Sequence, residues 1–318
     1  MNVTETLPDI VGFDVIVVGD LNPDLILTGN VEATFGQVEK FVDDAMLTIG
    51  GSAAICACGA ARLGLRTALI GKVGGDTFGR IMLQQLAERD VDTSGMIVDA
   101  GAKTGLSVHL ARADDRAMLT YSGAIGALRY EEINLGMLTQ ARHLHLGSYF
   151  LLESLRPKIG DLFRLAHRLN LTNSLDTNYD PSGRWDDGLS DVLPCTDVVF
   201  LNQTELAAIS HESDLDTALD CLIQTVPLVV VKMGKHGAIA RSRTERIHNA
   251  SLEVPVVDTT GAGDSFDAGF LYGHIKNWNI ARSLQLACIC GSLSTRAIGG
   301  TTAQTSLEDA GPFLEHIN

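Results

Sequence analysis

Apolar and polar positions change period repeatedly along the chain, and each change marks an element. Phe13 to Gly19 (FDVIVVG) is a short β-branched run closed by Gly-Asp, the pattern of a buried strand whose C-terminal end meets a ligand. From Asp24 to Ile49 polar and apolar residues alternate irregularly with no helical stripe, which predicts exposed strands. Gly50-Gly51-Ser52 opens a small-residue helix to about Leu63, with Ser52 as its N-cap. A strand at 67–70 and a helix from about Thr77 to Glu88 follow. Thr104 to Tyr121 again has strand character, with Ala113-Asp114-Asp115-Arg116 as its turn. Together with 24–49 it predicts a small β-layer, a lid, outside the main sheet. The rest alternates: strands at 143–146, 172–176, 197–201, 228–231 and 238–241, with helices ending near Asn170 and starting at Gln203, Gly261 and Ile280. Such alternation implies a mainly parallel sheet with right-handed crossovers. No internal repeat or long linker divides it.

Composition narrows the picture. With 318 residues, 45% of them hydrophobic but only 5% aromatic, the chain suits one large α/β domain filled by Ala, Val, Leu and Ile. The net charge of −15, unbroken by any Lys or Arg run, argues against nucleic acid or an anionic membrane as partner. Of six cysteines, Cys56, Cys58, Cys288 and Cys290 form two Cys-x-Cys pairs within Ala-rich helical stretches. That is not zinc spacing, and they read as small buried residues. Met1 to Asp9 is polar without a basic n-region, and apolar runs are short, so a cytoplasmic protein with reduced thiols is expected.

The most informative stretch is Val256 to Tyr272, VVDTTGAGDSFDAGFLY. A strand ends at Asp258, and a turn of small residues leads into a helix whose start holds Gly261, Ala262, Gly263 and Asp264. Unpaired N–H groups at such a start attract phosphate oxygens, and glycine lets the backbone come close. A carboxylate at the same place can take a proton from a hydroxyl. The alternative is a helix cap and nothing more. Asp258-Thr259-Thr260 upstream could hold a monovalent cation. Neither a Walker A motif nor a protein-kinase catalytic loop is present; Gly71-Lys72-Val73 lacks the upstream Gly and the following hydroxyl.

At these residues the chain resembles the ribokinase-like sugar kinases, the phosphofructokinase B family, over nearly its whole length. DTTGAGDSFDAGF resembles the family's specific C-terminal signature, and Gly50 to Gly79 the looser N-terminal one. Asn202-Gln203-Thr204-Glu205 matches an Asn-x-x-Glu motif, and Lys232-Met233-Gly234-Lys235-His236-Gly237 a nucleotide-side Gly-x-x-Gly turn. The resemblance implies a three-layer α/β/α sandwich with a β-strand lid, and ATP-dependent phosphorylation of a sugar-like hydroxyl. It implies Asp264 as base and Gly261, Ala262 and Gly263 as anion hole. Asn202 and Glu205 would organise Mg²⁺ and phosphates partly through water, and Lys232, Gly234 and Gly237 would line the ATP site. Asp258 and Thr260, with carbonyls near Arg296, Gly299 and Gly300, would form a cation loop, for K⁺ by family habit. Asn22 and Asp24 match sugar-binding residues, as do Gly50, Gly51, Ser52 and Ile55 in the N-terminal signature. Asp176 and Asn178 are further candidates at the same sheet edge. Taken alone, Asn202 with Glu205 is also a capping box, Asn22-Pro23-Asp24 a turn, and Lys232 a solvated strand end.

Two positions depart from the pattern. Ile55 stands where the family's Asn contacts substrate, and Ser52 where ribokinases tend to carry Lys, so ribose is not expected as the preferred acceptor. A pentose or hexose, a sugar acid or a nucleoside would each suit; a non-catalytic sensor is the reading from another class. His143 and His145 share one face of a strand without a third ligand and are expected to make core contacts. Exposed lid strands leave an edge to be paired, and a homodimer through the lid is expected.

Overall fold

The structure, a computed structural model, describes residues 12–112 and 116–314. The polar N-terminal segment and most of the turn expected at 113–116 lie outside the described residues. A nine-stranded sheet runs in the order Arg246–Asn249, Ala238–Ser242, Leu228–Lys232, Val198–Asn202, Thr172–Asp176, Ala141–Leu146, Phe13–Val18, Thr67–Ile70 and Val91–Asp92. Its neighbours pair in parallel, except that the last two hairpins, from Leu228 to Asn249, are antiparallel. The strands are apolar on both faces because helices cover both. Val15 and Val17 join one core with helices Ser52–Arg62, Ala262–Ile275 and Ile280–Ser294. Ile16 and Val18 join the other with helices Ile159–Arg168, Gln203–Ser210 and Leu215–Leu222. The result is the mainly parallel sheet expected from the alternation, within the three-layer sandwich that the resemblance implied.

On the first face the helices meet at small residues. A Cβ on Gly269 would lie 2.9 Å from Ala287 Cα, and one on Gly59 would lie 2.9 Å from Ala268 Cβ. Side chains there would push the helix Ala262–Ile275 off its neighbours, so its start is held in place by close packing.

A second sheet stands beside the first, ordered Asp44–Gly50, Asn22–Thr28, Leu106–Ala111, Arg116–Tyr121. The stretch 24–49, expected to be strand, therefore holds two strands separated by 29–43, which carries none. Arg116–Tyr121 is exposed throughout, including Met118, Leu119 and Tyr121. Lys72–Gly74 pairs with Ile97–Asp99 in a two-stranded sheet that the sequence pattern did not suggest. Strands that short are below the length at which alternation is readable. Among the described residues no helix is long and apolar enough to cross a membrane.

Candidate active site

Two helix starts converge at the C-terminal edge of the sheet, and neither is capped by its own residues. Helix Ser52–Arg62 begins after Gly51, whose φ of 88° puts it in the left-handed region. Ser52 is therefore not the N-cap, as the sequence suggested; it is the first helical residue, and its hydroxyl is free for other work. The unpaired N–H groups are taken by a carboxylate just after the first strand: Asp20 accepts from Ser52 N at 3.1 Å and Ala53 N at 3.0 Å. Burial nevertheless pushes the Asp20 carboxyl up.

Helix Ala262–Ile275 begins after Gly261, at φ 71° and with no side-chain cap. A Cβ on Gly261 would fall 2.7 Å from Gly300 Cα and 2.9 Å from Ile55 Cγ2, so glycine is required by space as well as by φ. Ala262 N already donates to Thr259 O at 3.3 Å and Ser265 N to Gly261 O at 2.9 Å. Of the N–H groups of the expected anion hole, that of Ala262 is therefore engaged within the turn.

Asp264 projects from this start into a buried, polar corner. The Ser52 hydroxyl hydrogen-bonds it. Asn178 Nδ2 in turn donates to Ser52 Oγ, and to Ser148 Oγ at 3.3 Å. Burial, then the nearby Asp176 carboxylate, pushes the Asp264 carboxyl up to about 8, while Lys232 works the other way. Asp176 itself resists the same burial through the Lys232 ammonium and its hydrogen bonds, and is held at about 2.

The second sheet supplies a polar cluster facing that corner. Asn22 Nδ2 donates to Asp24 Oδ1 at 3.0 Å and to Ser107 Oγ at 3.3 Å. His109 Nε2 lies 3.3 Å from Asp24 Oδ2. A Cβ on Gly50 would collide with the Asp24 carboxylate, which explains glycine there. His109 is buried with Nδ1 unpartnered in the structure. Sequence reasoning missed both His109 and Ser107, because only the parallel pairing of Asn22–Thr28 with Leu106–Ala111 brings them to Asp24. Ile55 is buried against Gly261 and Gly300. It supports the loop before the helix and offers no polar contact.

On the other side of Gly263 lies a cavity of about 590 Å³, within the range of small-molecule sites. Gly234, Gly237, Leu252, Val254 and Phe266 line it with Ala262 and Gly263. Lys232, expected to line the ATP site, does so only partly: its Nζ is engaged by Asp176 Oδ2 at 2.8 Å and Asp267 Oδ2 at 3.1 Å. Asn202 and Glu205 form the capping box that their spacing allowed, with Asn202 N donating to Glu205 Oε2 at 2.8 Å. Burial, then the Asp176 charge, pushes Glu205 up to about 7, so a nearby cation would relieve it. Both Glu205 oxygens accept from Asn202, Oε1 from Nδ2 at 2.6 Å, and a carboxylate held beside an amide is a donor set a hydrated magnesium ion accepts through water.

The expected potassium loop fits less well. Asp258 Oδ1 accepts from Thr260 N at 2.9 Å and Thr260 Oγ1 at 2.8 Å, and Oδ2 from Gly299 N at 2.8 Å. Arg116 of the second sheet donates to Thr260 Oγ1 at 2.7 Å and stands 3.7 Å from Asp258 Oδ1. Donors and a positive charge are present already, and the potassium expectation gains no support. His143 and His145 make the core contacts expected of them, to Thr172 Oγ1 and Ser174 Oγ. Burial lowers both pKa values, so they stay neutral. All six cysteines are free, and both Cys-x-Cys pairs are buried.

Comparison with known proteins agrees with this architecture. The pattern of the pfkB family carbohydrate kinases matches residues 13–307. A 5-dehydro-2-deoxygluconokinase of Geobacillus thermodenitrificans is 30% identical over 85% of either chain. A fructokinase of Salmonella typhimurium is 33% identical over 80% of this chain and 88% of its own. Among solved structures, a probable sugar kinase from Rhizobium etli superposes with a TM-score of 0.84 at 27% identity, covering 94% of this chain and 98% of that one. A putative ribokinase II from E. coli in complex with ATP and Mg²⁺ shares the fold, with a TM-score of 0.83 at 24% identity over 95% and 98%. Motif order, fold and sequence agree over the same residues: the chain belongs to the pfkB family of carbohydrate kinases and phosphorylates a sugar-like substrate with ATP.

Proposed function

We propose that Asp264 is the general base of this kinase and that the start of helix Ala262–Ile275 is its anion hole. The acceptor hydroxyl gives its proton to the Asp264 carboxylate as its oxygen bonds to the γ-phosphorus of ATP. The bond from that phosphorus to the bridging oxygen breaks, and ADP leaves. The N–H groups of Gly263 and Asp264, in the stretch opened by Gly261 and Ala262, hold the transferring oxygens as charge shifts among them. What carries this reading is Asp264 itself: a half-buried carboxyl at an uncapped helix start, hydrogen-bonded by Ser52 and beside a cavity of about 590 Å³, its pKa pushed up to about 8. The raised pKa makes the ionised carboxylate a stronger base, and the fraction able to accept a proton grows as pH rises toward 8.

Asn22 and Asp24 hold the acceptor through its hydroxyls, with Gly50 and Gly51 giving the backbone room and Ser52 and Asn178 orienting Asp264. ATP lies in the cavity against Gly234 and Gly237. Asn202 and Glu205 would hold magnesium through water, and such an ion would offset phosphate charge. Asp258 and Thr260 stiffen the loop before the helix, with Arg116 in the cation's role. The Arg116–Tyr121 edge, with Met118, Leu119 and Tyr121 exposed, pairs with a second copy to give a dimer. A monomeric mass in light scattering at working concentration would refute that.

The acceptor is read by ADP release with ATP and Mg²⁺ across neutral sugars, sugar acids and nucleosides. Turnover confined to one class identifies it. Because Ile55 offers no hydrogen bond, ribose should be clearly inferior to the best substrate. Equal turnover of ribose, or ADP release indifferent to any acceptor, contradicts the proposal.

A further inference from the structure

Lys232 ends the strand Leu228–Lys232, and its ammonium is committed to carboxylates rather than left for phosphate. It bonds Asp176 Oδ2 at 2.8 Å and both oxygens of Asp267, at 3.2 and 3.1 Å. Asp176 ends the neighbouring strand Thr172–Asp176, and Asp267 lies one turn beyond Asp264 on the same helix. Carboxylate oxygens of Asp176, Asp264 and Asp267 all lie within 4.8 Å of one another. Such a set could attract a divalent ion, but an ammonium already occupies two of its members. Gly263 lies over the lysine: a Cβ at that position would sit 3.5 Å from Lys232 Nζ and 3.7 Å from Cδ. The side chain thus reaches under the anion hole and ties the helix start to two strand ends.

We propose that Lys232 is a positioning residue for phosphoryl transfer, clamping the first turns of helix Ala262–Ile275 to the sheet edge and offsetting the carboxylates that crowd Asp264. The proposal rests on the reading of Asp264 as the base. The groups around Asp264 are Asp20 after the first strand, Ser52 and Cys56 on helix Ser52–Arg62, Asp176 and Asn178, and Asp267 on its own helix; Glu205 faces Asp176 and Lys232. All the ionisable ones are acidic; Lys232 is the cation set among them. Burial and Asp176 already bring Asp264 up to about 8, and Lys232 opposes them. Removing the lysine charge therefore raises the base further and leaves less of it ionised at neutral pH. A lysine held by carboxylates contributes little to holding phosphate, so ATP affinity should hardly change.

The test is the pH profile of kcat/KM for Lys232→Met, Lys232→Arg, Asp264→Asn and the parent enzyme, with ATP affinity measured alongside. Removing a unit charge near the base should move the acid limb of Lys232→Met up by about 1 unit, a roughly tenfold loss at pH 7 that narrows above pH 9. Lys232→Arg should restore most of the limb's position. Lys232→Gln, which keeps hydrogen-bond donors without the charge, serves if the Met variant does not fold. A uniform loss at every pH with the limb unmoved overturns the proposal and leaves Lys232 a packing residue. If Asp264→Asn retains full activity, the base reading itself has failed, whatever the lysine variants do.

Discussion

The two helix starts that meet at the sheet edge differ in one respect. At Ser52–Arg62 the open N–H groups are filled from within by Asp20, whereas at Ala262–Ile275 no side chain fills them. Helices Thr77–Ala87, Leu215–Leu222 and Ile280–Ser294 instead carry their own caps, Asp76, Asp214 and Asn279. Helix Ile159–Arg168 also lacks a side-chain cap but follows directly on a 3₁₀ turn at Arg156–Lys158, whereas Ala262–Ile275 starts after a single left-handed glycine. Asp20 closes the first start from within the fold; the second is the one proposed above to receive the phosphoryl oxygens.

The largest effect should come from closing the open start. Gly261→Val places a branched side chain at φ 71° and against Gly300, and should lower kcat by about 10²–10³, as loss of an oxyanion donor does. Asp20→Ala breaks the filled start, leaving the Ser52 and Ala53 N–H groups unsatisfied. It should cost about 1–3 kcal/mol in unfolding free energy, with a smaller effect on kcat than Gly261→Val. A larger loss of kcat than of stability there would erase the distinction between the two starts. Asp24→Asn, next to the wall, should raise the KM of the acceptor about tenfold and leave the KM of ATP unchanged.

Stability against pH sharpens the contrast further. The Asp264 carboxyl sits at about 8 in the folded chain, far above its unfolded value of about 4. Between those values the folded state holds more protons than the unfolded one, so stability falls as pH rises, and the penalty is complete above 8. Asp264→Asn removes that penalty. The variant should be more stable than the parent by a margin that grows from pH 5 to pH 8, measured by urea unfolding. A margin independent of pH would mean the carboxyl is not held protonated.

Much of this site was legible in the chain. DTTGAGDSFDAGF marked the open start and its carboxylate, Gly50-Gly51 the other start, and the strand–helix alternation the mainly parallel sheet. The parts that stayed hidden depend on contacts far apart in sequence. Lys232 meets Asp176 across 56 residues and Arg116 meets Thr260 across 144, and no local period records either. His109 reaches Asp24 only because their strands pair in parallel. Ser52 looked like a cap because it follows two glycines; the true filler, Asp20, stands 32 residues earlier on another element.

Asp264, at the open start, is proposed to take the acceptor's proton and not to serve binding alone. The direct measurement is kcat for Asp264→Asn beside its ATP dissociation constant, on the acceptor identified by ADP release. The account predicts a fall in kcat of about 10² or more, with ATP affinity kept within about threefold. A variant that keeps its kcat, or loses turnover only in proportion to ATP binding, would contradict it.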